Sequence, residues 1–265
     1  MNDACISPNG QWMCVVDSNQ QLIRYDLNTE EVLDTYDHDA NIRSVACSNN
    51  YIVVGIGDRH HNLNKVVLHD VFSELKIVQE FVHESRVIAV DIYDSQPWNT
   101  ELGTIYVAAA DRSCKCLVYE LNPITKEPLV SMVSQLLPIS SISTTTEKAQ
   151  KLFETKIKYT FTAEESMNAI SFSPWRSDGV EYIATADNEN KVIVRNMSNG
   201  KIHRQWMHEA WVNCVCFSPG KGTYVAAGDD ANKVVLYDVA TGKHVVILLL
   251  KLIFTLIILM YTNVF

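Results

Sequence analysis

Apolar residues recur along this chain in short runs, and polar turns separate them. Between residues 207 and 250 the runs are VNCVCFS, TYVAAGD, KVVLYDV and KHVVIL, with SPGKG, DDAN and ATG between them. The first three alternate or run apolar and are rich in β-branched and aromatic residues. Such runs predict short strands joined by tight turns, a four-stranded meander rather than helices. The pattern is written more than once. KVVLYDVATGK at 233–243 echoes KVVLHDVFSELK at 65–76. FSP stands at 172–174 and again at 217–219, and ISPNGQW at 6–12 has the same shape. DHDANIRSV (37–45), VHESRVIAV (82–90) and MHEAWVNCV (207–215) each precede an apolar run, and His38 and His83 are 45 residues apart.

Units of four strands repeating at about 40–45 residues are the signature of β-propeller blades. The expected architecture is all-β, a propeller of five to six four-stranded blades over residues 1–250. The boundaries fall at about 2–36, 37–81, 82–133, 134–161, 162–206 and 207–250. The unit at 134–161 is degenerate: PISSISTTTEKAQKLFE lacks a third strand, and only ETKIKYTF (154–161) matches, against NGKIHRQW (199–206). On these residues the chain resembles the WD-repeat family. The resemblance rests on His-Asp/Glu before the innermost strand, Ser-Pro after it, an Asp turn before the third strand and an aromatic-Asp pair closing that strand. The Trp-Asp pair itself is absent. Its place is held by Tyr25-Asp26, His69-Asp70, Tyr119-Glu120, Arg195-Asn196 and Tyr237-Asp238. The resemblance implies a non-enzymatic protein-interaction scaffold and structural roles for His38, His83 and His208.

Charge narrows the partners. The 265 residues carry a formal net charge of −9, which argues against nucleic acid, since phosphate binding needs a basic surface. Seven cysteines without a basic and apolar leader point to reduced thiols and a cytoplasmic or nuclear setting. The segment from Val245 to Phe265 holds one charge, Lys251, among mostly Leu, Ile, Val and Phe. It reads as a membrane tail anchor with the propeller in the cytosol, as read-through beyond a truncated coding region, or as a buried tail.

No local motif for catalysis is present. Cys114-x-Cys116 and Cys214-x-Cys216 offer four thiols, but residues two apart on a strand share a face and suit packing as well as zinc. His60-His61 lies in a polar turn, and GIGD at 55–58 leads into no helix that could cradle a phosphate. No cofactor or metal is expected. Trp98 and Trp175 fall in turns, where they cap a blade or anchor a partner, and Trp211 is expected in the core. The collective signal is acidic. In a propeller the loops before the innermost strand and before the third strand share one face. Here those loops carry Asp37, Asp39, Asp58, Glu84, Asp111, Glu164, Glu165, Asp187, Glu189, Glu209, Asp229 and Asp230, against Arg59 and Arg112 as the balancing bases. Turn Asp residues bond their own backbone, but Glu164, Glu165 and Glu209 have no such use. The expectation is a face of negative potential suited to a basic peptide.

Overall fold

The computed structural model describes residues 2–57, 63–95, 103–124, 152–174 and 181–249. Every regular element among them is a strand. Strands β1 (Asp3–Ile6), β2 (Trp12–Val16), β3 (Gln21–Asp26) and β4 (Val32–Asp37) form the first sheet. The second holds β5 (Ile42–Cys47), β6 (Tyr51–Gly57), β7 (Asn64–Asp70) and β8 (Ile77–Val82). The third holds β9 (Val87–Asp94), β10 (Ile105–Asp111), β11 (Lys115–Pro123) and β12 (Phe153–Thr162). The fourth runs β13 (Met167–Phe172), β14 (Tyr182–Asp187), β15 (Lys191–Asn196) and β16 (Ile202–Met207). The fifth runs β17 (Val212–Phe217), β18 (Tyr224–Asp229), β19 (Lys233–Asp238) and β20 (His244–Leu249). Each sheet is an antiparallel meander in chain order.

Among the described residues the sixth, degenerate unit has no sheet of its own. Residues 153–162 pair with β11 in a register from Lys115↔Thr162 to Pro123↔Phe153 and so complete the third sheet. The expected boundary at 133–134 therefore falls inside one sheet, within the stretch 125–151 that lies outside the described residues. KHVVIL does form the outermost strand of the fifth sheet, as β20. The remainder of the apolar tail, from 250, also lies outside the described residues. No helix among them is long and apolar enough to cross a membrane.

Packing follows from the burial of the middle strands. Every residue of β6 is buried, whereas the outermost β4 alternates between exposed and half-buried. A strand covered on both faces reads as a continuous apolar run, and the cover comes from neighbouring sheets. Val66 and Leu68 of the second sheet pack with Val107 and Tyr119 of the third. Ala186 and Val194 of the fourth pack with Val225 and Tyr237 of the fifth. An aromatic on three of the outermost strands lies on the third strand of the next sheet. Phe81 stacks on Tyr119 with ring centres 4.2 Å apart, Trp206 on Tyr237 at 4.4 Å, and Tyr36 meets His69 at 4.9 Å.

The innermost strands lie side by side, β1 by β5, β5 by β9, β9 by β13 and β13 by β17. A polar side chain on each accepts a backbone N–H of the next. Asp3 Oδ2 takes Val45 N–H at 2.9 Å, Ser44 Oγ takes Val90 N–H at 3.3 Å, Asp91 Oδ2 takes Phe172 N–H at 2.6 Å and Ser171 Oγ takes Phe217 N–H at 3.2 Å. The serines after the innermost strands fix the first hairpins: Ser7, Ser48, Ser173 and Ser218 Oγ accept N–H groups of Trp12, Tyr51, Tyr182 and Tyr224 at 2.9–3.1 Å.

Candidate functional site

The five innermost strands enclose a central cavity of about 470 Å³. Four of them carry a β-bulge near their start, at Arg43, Ile88, Asn168 and Asn213, each skipped in the register with the second strand. A bulge re-aims one side chain, and these four line the cavity together with Asn2. Asn2 and Asn168 also bridge to the next strand through Ile42 O at 2.8 Å and Val212 O at 3.0 Å. Deeper in the wall, burial pushes the Asp91 carboxyl up to about 7, against the lowering effect of the N–H groups of Phe172 and Ile92.

The acidic loop residues around this opening divide into three groups. Asp111, Asp187 and Asp229 are buried at the ends of β10, β14 and β18. Each Oδ1 accepts backbone N–H groups of its own turn: Ser113 for Asp111, Glu189 and Lys191 for Asp187, Ala231 and Lys233 for Asp229. Asp39, Glu84, Glu189 and Glu209 pair with Lys65, Lys115, Lys191 and Lys233, at 3.2, 2.5 and 2.8 Å for the first, second and fourth pairs. Those lysines open the third strands, so the pairs themselves place both sets of loops on one face. Among the described residues, lysines answer these four carboxylates, Glu209 included, while Arg59 lies outside the described residues. Asp37, Glu164, Glu165 and Asp230 remain exposed with no cation within ion-pair distance among the described residues. Asp37 accepts from Gln21 Nε2 at 2.9 Å, Asp230 from Asn213, and the backbone N–H groups of Glu164 and Glu165 reach Glu189 Oε1 at 2.7 and 3.0 Å. Asp58 lies outside the described residues, as do His60, His61, Trp98 and Trp175.

Trp211 is not in the core. It precedes β17 on the same loop face and is 55% exposed, beside Asp230, whose N–H it receives at 3.0 Å. Its string MHEAWVNCV places it one residue before the strand, and that residue belongs to the turn. Cys114 also departs from expectation: it occupies the turn before β11 at a φ of 63°, while Cys116 is buried on the strand, so the pair does not share a face. All seven cysteines are free, and no group of three or more His, Cys, Asp or Glu among the described residues is placed to hold a metal ion.

The histidines before the innermost strands are internal. His83 Nδ1 meets Asp111 Oδ2 at 3.3 Å, and its Nε2 faces the Tyr119 hydroxyl at 3.1 Å. In the fifth sheet His208 repeats this with Asp229 at 2.8 Å and Tyr237 at 2.9 Å. Burial raises the Asp111 carboxyl, but the hydrogen bonds from His83 and Ser113 outweigh it and hold it below its usual value. The second sheet puts His69 where these have tyrosine, and His38 and His69 face each other at 3.2 Å. Burial lowers His38 to about 3 and His69 to about 4.

A family profile described as "WD domain, G-beta repeat" matches residues 200–238, from the outermost strand of the fourth sheet through the third strand of the fifth. Residues 200–238 are thus similar to a WD repeat. Five meanders of one design, with the His–Asp–Tyr linkage in the third and fifth, agree with a WD-repeat β-propeller. The chain matches none of the curated proteins compared with it. A repeat of this kind suggests a protein-interaction scaffold.

Proposed function

We propose that this chain is a non-enzymatic scaffold that binds a basic segment of another protein across its loop face. The observation that carries this reading is the set of exposed carboxylates on the fourth and fifth sheets with no ion-pair partner among the described residues, Glu164, Glu165 and Asp230, the last beside the exposed Trp211. Negative potential steers a basic segment, and an exposed tryptophan supplies both an apolar anchor and a face for a cation. Arg43, at the cavity opening, disfavours the cation over the second sheet, so the segment is placed on the fourth and fifth. The two His–Asp pairs with a hydroxyl in reach have side chains closed to solvent, leaving a substrate no access.

Titration of a fluorescein-labelled lysine-rich peptide tests the proposal. Wild-type chain is expected to bind with an affinity that falls as salt rises. Combined Glu164→Lys and Glu165→Lys should weaken it at least about tenfold, as should Trp211→Ala, each residue acting as part of the hot spot. Equal affinity of these variants and wild type would exclude this face as the binding surface.

A further inference from the structure

A second cavity, of about 290 Å³, lies in the fourth sheet, and comparison with its neighbours gives its origin. The residue immediately after the outermost strand is His83 before the third sheet and His208 before the fifth, but Ala163 before the fourth. The third-strand position that carries Tyr119 and Tyr237 carries Arg195. The carboxylate is retained as Asp187. Where sister sheets hold an imidazole between an aspartate and a phenol, this sheet holds empty volume between an aspartate and a guanidinium.

Ala163, Asp187 and Arg195 all line that cavity. Asp187 is 4% exposed and Arg195 8%. Oδ1 of Asp187 is taken by the turn N–H groups of Glu189 and Lys191, both at 2.9 Å. Its Oδ2 corresponds to the oxygens of Asp111 and Asp229 that face imidazole, and it receives no hydrogen bond among the described residues. Arg195 donates from Nη1 to Thr185 Oγ1 at 3.3 Å and lies over the Phe161 ring at 4.6 Å, with no carboxylate in ion-pair range among the described residues. Burial raises the Asp187 carboxyl and lowers the Arg195 guanidinium, so both charged forms are strained by desolvation. Opposite charges that line one cavity present an acceptor and a donor to a group able to bridge them.

From this we infer that the cavity is a binding site for a neutral imidazole-type ring, its N–H donating to Asp187 Oδ2 and its bare nitrogen accepting from Arg195. A neutral imidazole carries one donor and one acceptor on opposite sides of a flat ring. His83 and His208 show that the framework seats such a ring at this place. The ring comes from a free small molecule or from a histidine that a partner inserts. Glu164 and Glu189 also line the cavity, so the site borders the acidic loop face, but its recognition groups are Asp187 and Arg195, not the exposed Glu164, Asp230 and Trp211 that carry the proposed function.

Ligand-observed NMR with imidazole at about pH 8, where the ring is largely neutral, tests the site on the full chain. Saturable binding in the low-millimolar range is expected for so small a ligand. 1-Methylimidazole, which has no N–H for Asp187, should bind at least about tenfold more weakly. Ala163→His fills the cavity from within and should abolish the response. Should that variant not fold, Arg195→Gln should weaken binding by a similar factor. His208→Ala opens the matching cavity in the fifth sheet and should add a second imidazole site. A histidine-containing peptide binding more tightly than free imidazole assigns the ring to a partner chain; a peptide excluded while imidazole binds assigns it to a small molecule. Absence of saturable imidazole binding to wild type, or unchanged binding to folded Ala163→His, would overturn the inference, whereas the part of peptide binding that depends on Trp211, which does not line the cavity, would be untouched by either result.

Discussion

The fifth and fourth sheets share strand order, turn geometry and the buried aspartate, and differ at the two side chains that flank that aspartate. In the fifth, His208 joins Asp229 to Tyr237 and closes the space between them. In the fourth, alanine and arginine take the places of histidine and tyrosine, and a cavity results. The backbone is held by features the two sheets have in common: the Ser cap of the first hairpin, the turn aspartate, and the aromatic on the preceding outermost strand. A framework specified that redundantly tolerates loss of its internal polar link, and the position so released is free to carry binding chemistry.

The largest expected effect comes from making the fifth sheet like the fourth. His208→Ala leaves Asp229 and the Tyr237 hydroxyl buried without their shared partner, and should lower unfolding free energy by about 2–3 kcal/mol, read by urea denaturation. A loss under about 0.5 kcal/mol would mean that the linkage is not what secures the fifth sheet.

Glycines sharpen the comparison at the next level. Gly200 and Gly220 both have a φ of +72°, but a Cβ on Gly200 would come within 2.7 Å of Tyr159 Cε1, whereas one on Gly220 would meet open space. Tyr159 belongs to β12 and donates its hydroxyl to Met197 O at 3.0 Å, so this contact ties the third sheet to the fourth. Gly200→Ala should cost more than Gly220→Ala by about 1–3 kcal/mol, on top of the left-handed penalty common to both. Equal costs in thermal melts would show that the Tyr159 contact yields easily.

Two internal titrations run against each other. His38 and His69 are neutral in the folded chain, and the unfolded chain takes up their protons near pH 6.5, so their contribution to stability is lost as pH falls from there toward 4. Lys65, Asp39 and Glu80 are the charges that face this pair, and the two closest to His38 act in opposite senses. Asp91 behaves conversely: folding holds its proton up to about pH 7, so its contribution declines as pH rises from about 4 to 7. Asp91→Asn should remove that decline, and His38→Gln with His69→Gln should remove the acid-side loss. A melting profile against pH that neither change alters would place the coupling elsewhere.

The smallest effect separates stability from binding. Lys115→Ala and Lys233→Ala remove exposed ion pairs and should change stability by no more than about 0.5 kcal/mol. By releasing Glu84 and Glu209 they should strengthen lysine-rich peptide binding two- to threefold, about one half kcal/mol. Weaker binding would mean the lysines themselves contact the partner.

Strands and turns were legible in the sequence because their determinants are local: an apolar run, a Ser-Pro, an Asp two and four residues before the N–H groups it accepts. The count of units was not, because β11 and β12 pair across the excursion at 125–151 and neither end of it signals the other. ETKIKYTF matched an outermost strand all along, yet the intervening residues separated it from its sheet. The acidic positions were visible, but their lysine partners stand 20 or more residues away for Asp39, Glu84 and Glu209, at the head of each KVVL-type run. Arg195 was readable as a departure from the aromatic position. Ala163 was not readable as a missing ring, since an alanine before a strand is unremarkable until the sister histidines are seen to point inward.

The acceptors on the innermost strands all reach forward along the chain, from Asp3 to Val45, Ser44 to Val90, Asp91 to Phe172 and Ser171 to Phe217. Tension applied between the ends would therefore pass through a single file of links, and rupture at one of them would part the array into two intact pieces instead of loosening every sheet a little. Asp91, which is both a link and a proton acceptor near neutrality, is where such a parting would respond to acidity.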